Sequence, residues 1–204
     1  RKEAAVDPAE FGTYVHDVLE NTCREIRDLG GFHCVTREQT LQIAHRWSDL
    51  YQKEHFSQLD SQRLAYLFQR NTQELRMVVQ ELWEELQQSL FEPKEFEVSF
   101  GSPEGQPAIA IPNGSINAIL RGFVDRVDVW KSPGSSYYRV VDYKTGKKEF
   151  SLSDVLEGLN LQMLIYLFSL QENGKERYGD IVPAGVLYLQ AKHPVIQDAR
   201  GLSE

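Results

Sequence analysis

Cysteine is scarce in this chain. Cys23 and Cys34 show no C-x-x-C spacing, so neither a thiolate zinc site nor a disulfide framework is indicated. Long apolar runs are also missing: no stretch of about 18 apolar residues exists, which argues against a membrane-spanning helix. There is no internal repeat, no low-complexity segment and no apolar leader region. The chain opens on Arg1 rather than Met, so it reads as a fragment of a longer chain and not as a secreted precursor. Positive charge is in deficit, with 22 Lys and Arg against 30 Asp and Glu and a net charge of −8, so this is no globally basic binding protein. What remains, at 204 residues, is one domain, or one core with a helical elaboration, able to bury a substantial interior.

Helices dominate the first half. Asp7 before Pro8 resembles an N-cap followed by an N1 proline, predicting a helix from Pro8 to about Leu29 that Gly30-Gly31 ends. Thr36 with Gln39 three residues on is a capping-box pattern and opens a helix to Tyr51. A third helix runs from Ser61 to about Gln88, with Leu64, Leu67, Phe68, Leu75, Val78, Val79, Leu82, Trp83 and Leu86 as an apolar stripe for core packing or partner contact. Pro93 breaks the pattern. Strands are expected at about 94–100, 108–112, 115–130 and 137–144, with turn-rich connections at 101–107 and 131–136. A helix at 160–171 and a strand from Ala184 to Gln190 follow.

The chemistry concentrates in two of these strands. One carries Gly122-Phe123-Val124-Asp125-Arg126, and the next carries Val140-Val141-Asp142-Tyr143-Lys144-Thr145-Gly146. Side chains alternate along a strand, so Asp142 and Lys144 share a face and Tyr143 points away. A lone D-x-K on an exposed strand is usually a surface charge pair. Here Tyr137, Tyr138, Val140 and Val141 precede it, and Phe123, Val127 and Val129 share the face of Asp125, so both strands read as buried. Buried carboxylates need compensation by a metal or an ion pair, and a structural pair of Asp125 with Lys144 is the alternative to a metal site. Two acids beside an ammonium on a rigid sheet suit a divalent cation and an attacking water, the requirements of phosphodiester hydrolysis. On the following helix Gln162 and Tyr166 stand four apart and share a face, and a Gln in so apolar a run implies a polar task. His16 and Glu20 share a face of the first helix, although a single helical His is more often a surface or core residue than a ligand.

The order H…GxxD…DxK…QxxxY, in His16, Gly122 to Asp125, Asp142 to Lys144 and Gln162 to Tyr166, resembles the RecB-type branch of the PD-(D/E)xK nuclease superfamily. Within it, the wording around Asp125, Asp142, Gln162 and Ala184 is most similar to AddB-type nuclease domains, from about residue 7 to about 195, with no matching motif between about Phe32 and Glu92. The resemblance implies an α/β, restriction-endonuclease-like core, a central mixed sheet flanked by helices, with an N-terminal helical elaboration. It implies a single nuclease domain over 1–204, with a helical region at 8–91 and a catalytic core at 92–195 plus the His16 helix. His16, Asp125, Asp142 and the Tyr143 main-chain carbonyl match metal ligands, and Asp125, Asp142, Lys144 and Gln162 match catalytic positions. Lys144 matches the lysine that orients or polarises water, Gln162 and Tyr166 the helix that supports the site and contacts DNA, and Arg126 a phosphate-contacting or supporting residue. Glu20 and Glu97 read equally as outer carboxylates of the site and as solvated charges.

Oxygen ligands with one imidazole suit hard or borderline cations, so Mg²⁺ or Mn²⁺ is the implied cofactor. AddB-type members typically carry an iron–sulfur cluster, so the resemblance allows one in the full-length protein; its cysteines are not in this sequence. The implied partners are DNA, as a single strand fed by a helicase, and an AddA-type helicase–nuclease subunit, in the bacterial cytoplasm. Alternatives from the same residues are a catalytically silent nuclease-like scaffold and a stand-alone RecB-like exonuclease of the CRISPR-associated kind. Arg121, Arg126, Lys131, Arg139, Lys144, Lys147 and Lys148 gather around the motifs and predict a local positive field on an acidic chain.

Overall fold

The computed structural model describes residues 8–56, 61–103, 105–113, 116–145, 161–173 and 175–191. Three long helices come first: α1 (Pro8–Asp28), α2 (Arg37–Phe56) and α3 (Ser61–Gln88), with a short 3₁₀ turn at Phe32–Cys34 between the first two. Strands β1 (Glu92–Phe100), β2 (Ile109–Asn113), β3 (Ile116–Leu120), β4 (Gly122–Ser132) and β5 (Ser135–Lys144) follow, then α4 (Leu161–Asn173), α5 (Lys175–Tyr178) and β6 (Ile181–Gln190). The capping box closes α2 as expected: the Gln39 N–H donates to Thr36 Oγ1 at 3.2 Å, and the Thr36 N–H donates to Gln39 Oε1 at 2.8 Å.

Four strands form one sheet in the order β1-β4-β5-β6. The first three are antiparallel neighbours, and β5 pairs with β6 in parallel, which requires the crossover that α4 supplies. The sheet is therefore mixed and the class α/β, as expected. Strands β2 and β3 form a separate hairpin. Pro93 and Pro183 lie in the two edge strands, each beside a shift of register, where a missing N–H disrupts no interior ladder.

Each sheet face has its own core. On one, α1 contributes Tyr14, Val15, Val18, Leu19 and Ile26, and α3 contributes Leu75, Val78, Val79, Leu82 and Leu86, against Phe96, Val141 and Tyr143. Much of the α3 stripe is thus core packing; the side chains of Leu64, Leu67 and Phe68 lie outside the described residues. Val15, Val18, Leu19 and Ile26 are wholly buried, and each contributes about 1.5–3 kcal/mol by leaving water. On the other face, Met163, Tyr166, Leu167 and Leu170 of α4 cover Val98, Phe100, Val124, Val127, Tyr138 and Val140. The N-terminal helices are half of the core rather than an appendage to it.

Several boundaries differ from expectation: α2, expected to end at Tyr51, runs on to Phe56. The single strand expected at 115–130 is two strands, broken at Arg121, whose carbonyl accepts a hydrogen bond from the Tyr166 hydroxyl at 3.2 Å. The connection expected at 131–136 shrinks to a turn at Pro133-Gly134, with Gly134 at φ 83° supplying the left-handed position. The last strand starts at Ile181, not Ala184. The expected first residue of the fourth helix, Asn160, lies outside the described residues.

Candidate active site

The β4–β5 ladder runs from Ser132↔Ser135 to Arg126↔Val141. Asp125 and Asp142 continue the two strands beyond that last pair. There the Tyr143 N–H donates to Asp125 Oδ2 at 2.6 Å. Asp125 Oδ1 lies 3.2 Å from His16 Nδ1, so one buried carboxylate joins α1, β4 and β5. The His16 ring packs edge-on against Tyr143, at 5.5 Å and 84°, and also hydrogen-bonds the Tyr143 main chain. At Gly12, one turn before His16, an added Cβ would sit 3.1 Å from Thr145 Oγ1, so the small residue lets α1 approach the end of β5.

Glu97 completes this group. Ligand atoms of His16, Glu97 and Asp125 all lie within 4.8 Å of one another. Glu97 follows the Phe96↔Arg126 pair and precedes Val98↔Val124, which places it across from Asp125. It is the one non-glycine among the described residues at positive φ, 48°, a conformation costing roughly 1–3 kcal/mol that tends to persist at functional sites. The turn there sends Phe96 into the core of α1–α3 and Val98 into the core of α4. The sequence alone reads Glu97 as no more than an outer carboxylate. Its signal is an acid set between two apolar strand residues, Phe96 and Val98.

The electrostatics are those of crowded acids. Burial, then the charges of Asp125 and Glu20, raise the Glu97 carboxyl above its ordinary pKa. Burial also raises Asp142, with Asp125 adding to it and Lys144 opposing. Burial disfavours a charged His16, but the hydrogen bond to Asp125 and the charges of Asp125 and Glu97 outweigh it and raise its pKa. Asp142 Oδ2 is buried and touches Lys144 Nζ as an ion pair, without hydrogen-bond geometry. Lys144 thus pairs with Asp142 and not with Asp125, which sets aside the alternative of an Asp125–Lys144 bridge. Its Nζ stands 5.5 Å over the Tyr188 ring, and the side chain is half exposed.

These residues fit a hard divalent cation. Carboxylate oxygens with one imidazole are the donors it takes, and mutual repulsion with an unsatisfied buried oxygen is what it would relieve. His16 and Asp125 meet as expected. Asp142 does not belong to their mutually adjacent set but adjoins it, since Asp125 and His16 both act on its carboxyl.

The other expected residues support the site from behind. Gln162 is exposed and donates to the Tyr166 hydroxyl at 2.6 Å. Tyr166 is wholly buried, stacked on Phe100 at 4.5 Å, so its side chain has no face for DNA. That corrects the DNA-contacting reading of Tyr166 and leaves its support role. Its hydroxyl occupies the space that a Cβ on Gly122 would need. G-x-x-D and Q-x-x-x-Y are therefore two halves of one contact. For Arg126 the phosphate-contacting alternative is corrected, which leaves the supporting one. Arg126 is wholly buried, donating to both oxygens of Asp128 at 2.6 and 3.0 Å and to the Tyr143 hydroxyl at 2.9 Å, and cannot reach a phosphate.

Of the seven cations expected to form a positive field, Arg126, Arg139 and Lys144 are spent in ion pairs. Arg139 bonds Asp128 at 2.9 Å and Glu85 at 3.0 Å, and Lys144 is paired with Asp142. Lys131 lines a cleft of about 540 Å³ with Pro93, Trp130 and Ile181, at the far end of β4 from Asp125, and Lys147 and Lys148 lie outside the described residues. Glu20 pairs with Arg24 at 2.6 Å on its own helix.

A mixed sheet between helical layers, with an Asp on one strand and D-x-K on the next, defines a nuclease class, and this chain belongs to it. A family profile described as the PD-(D/E)XK nuclease superfamily matches residues 1–204. The chain is similar to an ATP-dependent helicase/deoxyribonuclease subunit of the AddB type from Clostridium novyi (strain NT), 36% identical over 100% of this chain and 18% of that protein. Subunits of the same description from Thermoanaerobacter sp. (strain X514) and Acetivibrio thermocellus are 34% and 33% identical, again over 100% of this chain and 18% of theirs. The chain thus spans under a fifth of the length of these relatives. No helix among the described residues is long and apolar enough to cross a membrane.

Proposed function

We propose that residues 1–204 form one metal-dependent deoxyribonuclease domain, of exonuclease type, that cuts a single strand as a helicase delivers it. It would work in a helicase–nuclease complex processing double-strand breaks, beside an AddA-type subunit like that implied by the relatives' description. The observation that carries this reading is Asp125, held by His16 and the Tyr143 N–H, next to Asp142 and Lys144.

His16, Asp125 and Asp142, with the Tyr143 carbonyl and now Glu97, would hold Mg²⁺ or Mn²⁺. When bound, the cation would polarise a phosphoryl oxygen and lower the pKa of its water. The Tyr143 N–H fixes Asp125 Oδ2 in orientation, leaving Oδ1, which lies against His16, for the cation. Lys144 holds its ammonium beside Asp142, where it can orient the attacking water and offset charge on the phosphorane oxygens. Gln162 fixes Tyr166, which fixes the Arg121 carbonyl and hence the start of β4, the strand that carries Asp125.

The test is cleavage of end-labelled single-stranded DNA with Mg²⁺ or Mn²⁺, beside EDTA and Asp142→Ala controls. Metal-dependent cutting that Asp142→Ala abolishes is the expected result. Metal binding with no cutting, alone or with a helicase partner, would overturn the reading in favour of a silent scaffold.

A further inference from the structure

We infer that Phe123 and Arg121 form a nucleotide subsite beside the cutting centre, the Phe123 ring stacking one unpaired base and the Arg121 guanidinium taking a neighbouring phosphate. This rests on the nuclease reading and names how the strand is held. Phe123 is 59% exposed although it lies near the start of a strand whose next five residues, Val124 to Asp128, are all buried. Scattered exposed apolar residues are common and need no cause. Three observations set this one apart.

The first is place. Phe123 precedes Asp125 by two residues on β4, with roots about 7 Å apart at the strand rise. The second is rigidity. Phe123 pairs with Ser99 of β1, and the adjacent Gly122 is pressed against the Tyr166 hydroxyl, with Gln162 Nε2 3.4 Å from its Cβ position. A ring carried on a fixed backbone has less freedom to lose when a base stacks on it. The third is charge. Of Arg121, Arg126 and Arg139, only Arg121 has no carboxylate partner among the described residues. Its aliphatic stem packs across Gly101, where an added Cβ would lie 2.8 Å from Arg121 Cγ, so an exposed guanidinium is anchored close to the ring in the chain.

An exposed aromatic face with an anchored cation two residues away in the chain is a pairing suited to single strands with little sequence preference. Bases in a duplex already stack on each other and offer no free face, so the ligand class is single-stranded DNA or an unpaired end. An arginine suits the phosphate because its planar fork can bond two oxygens at once.

The experiment pairs protein and DNA changes on the full 204-residue chain. Affinity for a fluorescent oligonucleotide is measured by anisotropy in EDTA, and KM and kcat are measured with Mn²⁺. The oligonucleotides are intact or carry one abasic position, moved stepwise along the strand. Phe123→Ala should weaken binding of the intact strand about tenfold and raise KM more than it lowers kcat, with Phe123→Trp restoring both. One abasic position should reproduce that loss in the native chain and add nothing to Phe123→Ala. Arg121→Gln should lower the salt slope of binding by about 0.7, the share of one phosphate on a single strand. Equal losses for intact and abasic strands, or no loss in Phe123→Ala, would overturn the subsite. The EDTA binding arm does not depend on cutting, so a chain that binds with this coupling but never cuts sinks the nuclease reading alone.

Discussion

Asp128 is the residue on which most buried charge depends. Both of its oxygens serve Arg126, and one also serves Arg139, all three being largely or wholly out of water. Removing one partner of a buried pair strands the rest. Asp128→Ala should therefore destabilise the chain by about 3–5 kcal/mol, read by urea unfolding, although no reacting group is touched. Nearer the site, Glu97 and Glu20 separate by the same reasoning. Glu97→Gln removes a carboxylate from the set with His16 and Asp125 and should weaken Mn²⁺ binding by about tenfold or more, measured by calorimetry. Glu20→Gln, which loses an ion pair with Arg24 and a charge acting on Glu97 but no member of the ligand set, should leave that affinity within about twofold. Lys144→Ala should keep metal binding and slow cutting by roughly 10²-fold or more in single-turnover assays, because the proposed role sets its charge where negative charge develops.

The elements meet at contacts that pairs of substitutions can isolate. Gly122 and the Tyr166 hydroxyl compete for one volume, so Gly122→Ala should cost about 1–3 kcal/mol by overpacking at the root of β4. In a Tyr166→Phe background the same change should cost less by at least about 0.5 kcal/mol, and a strictly additive cycle would refute the contact. The same hydroxyl explains the break at Arg121: a carbonyl turned to Tyr166 no longer extends the preceding strand. The Arg121 break also starts β4 so that Asp125 lies just past its last paired residue with β5.

Across the whole molecule, two features are open to simple measurement. Metal binding to the native state alone stabilises it: at about 100 Kd the gain is about 2.7 kcal/mol, which at this size raises Tm by roughly 5–10 °C, and EDTA should reverse it. Cys23 is wholly buried and its thiol is pushed up to about 11 by burial. A thiol reagent should thus find exposed Cys34 in the native chain, and Cys23 only after unfolding. A folded pKa of about 11 above an unfolded value near 9 stabilises below pH 9, and that contribution is lost as pH rises toward 11. Burial also raises Tyr138 and Tyr143, which add in the same direction. Cys23→Ala should lessen the fall in unfolding free energy between pH 9 and 11.

By itself the sequence determined the elements and most of the chemistry. Periodicity and caps marked α1 to α3 because burial of one face is written into spacing, and the Thr36–Gln39 box is local. Alternation on two apolar strands made Asp125, Asp142 and Lys144 legible because an acid among valines needs a partner. Only the tertiary structure decided which charges are spent and which are free. Arg126, Arg139 and Arg121 look alike in sequence, yet among the described residues two lie in ion pairs that the fold assembles and one does not. Glu97 joined the site for the same reason. Pairing between β1 and β4 set it across from Asp125, and the turn in its backbone aims it there, a juxtaposition that depends on how strands meet rather than on the residues within one.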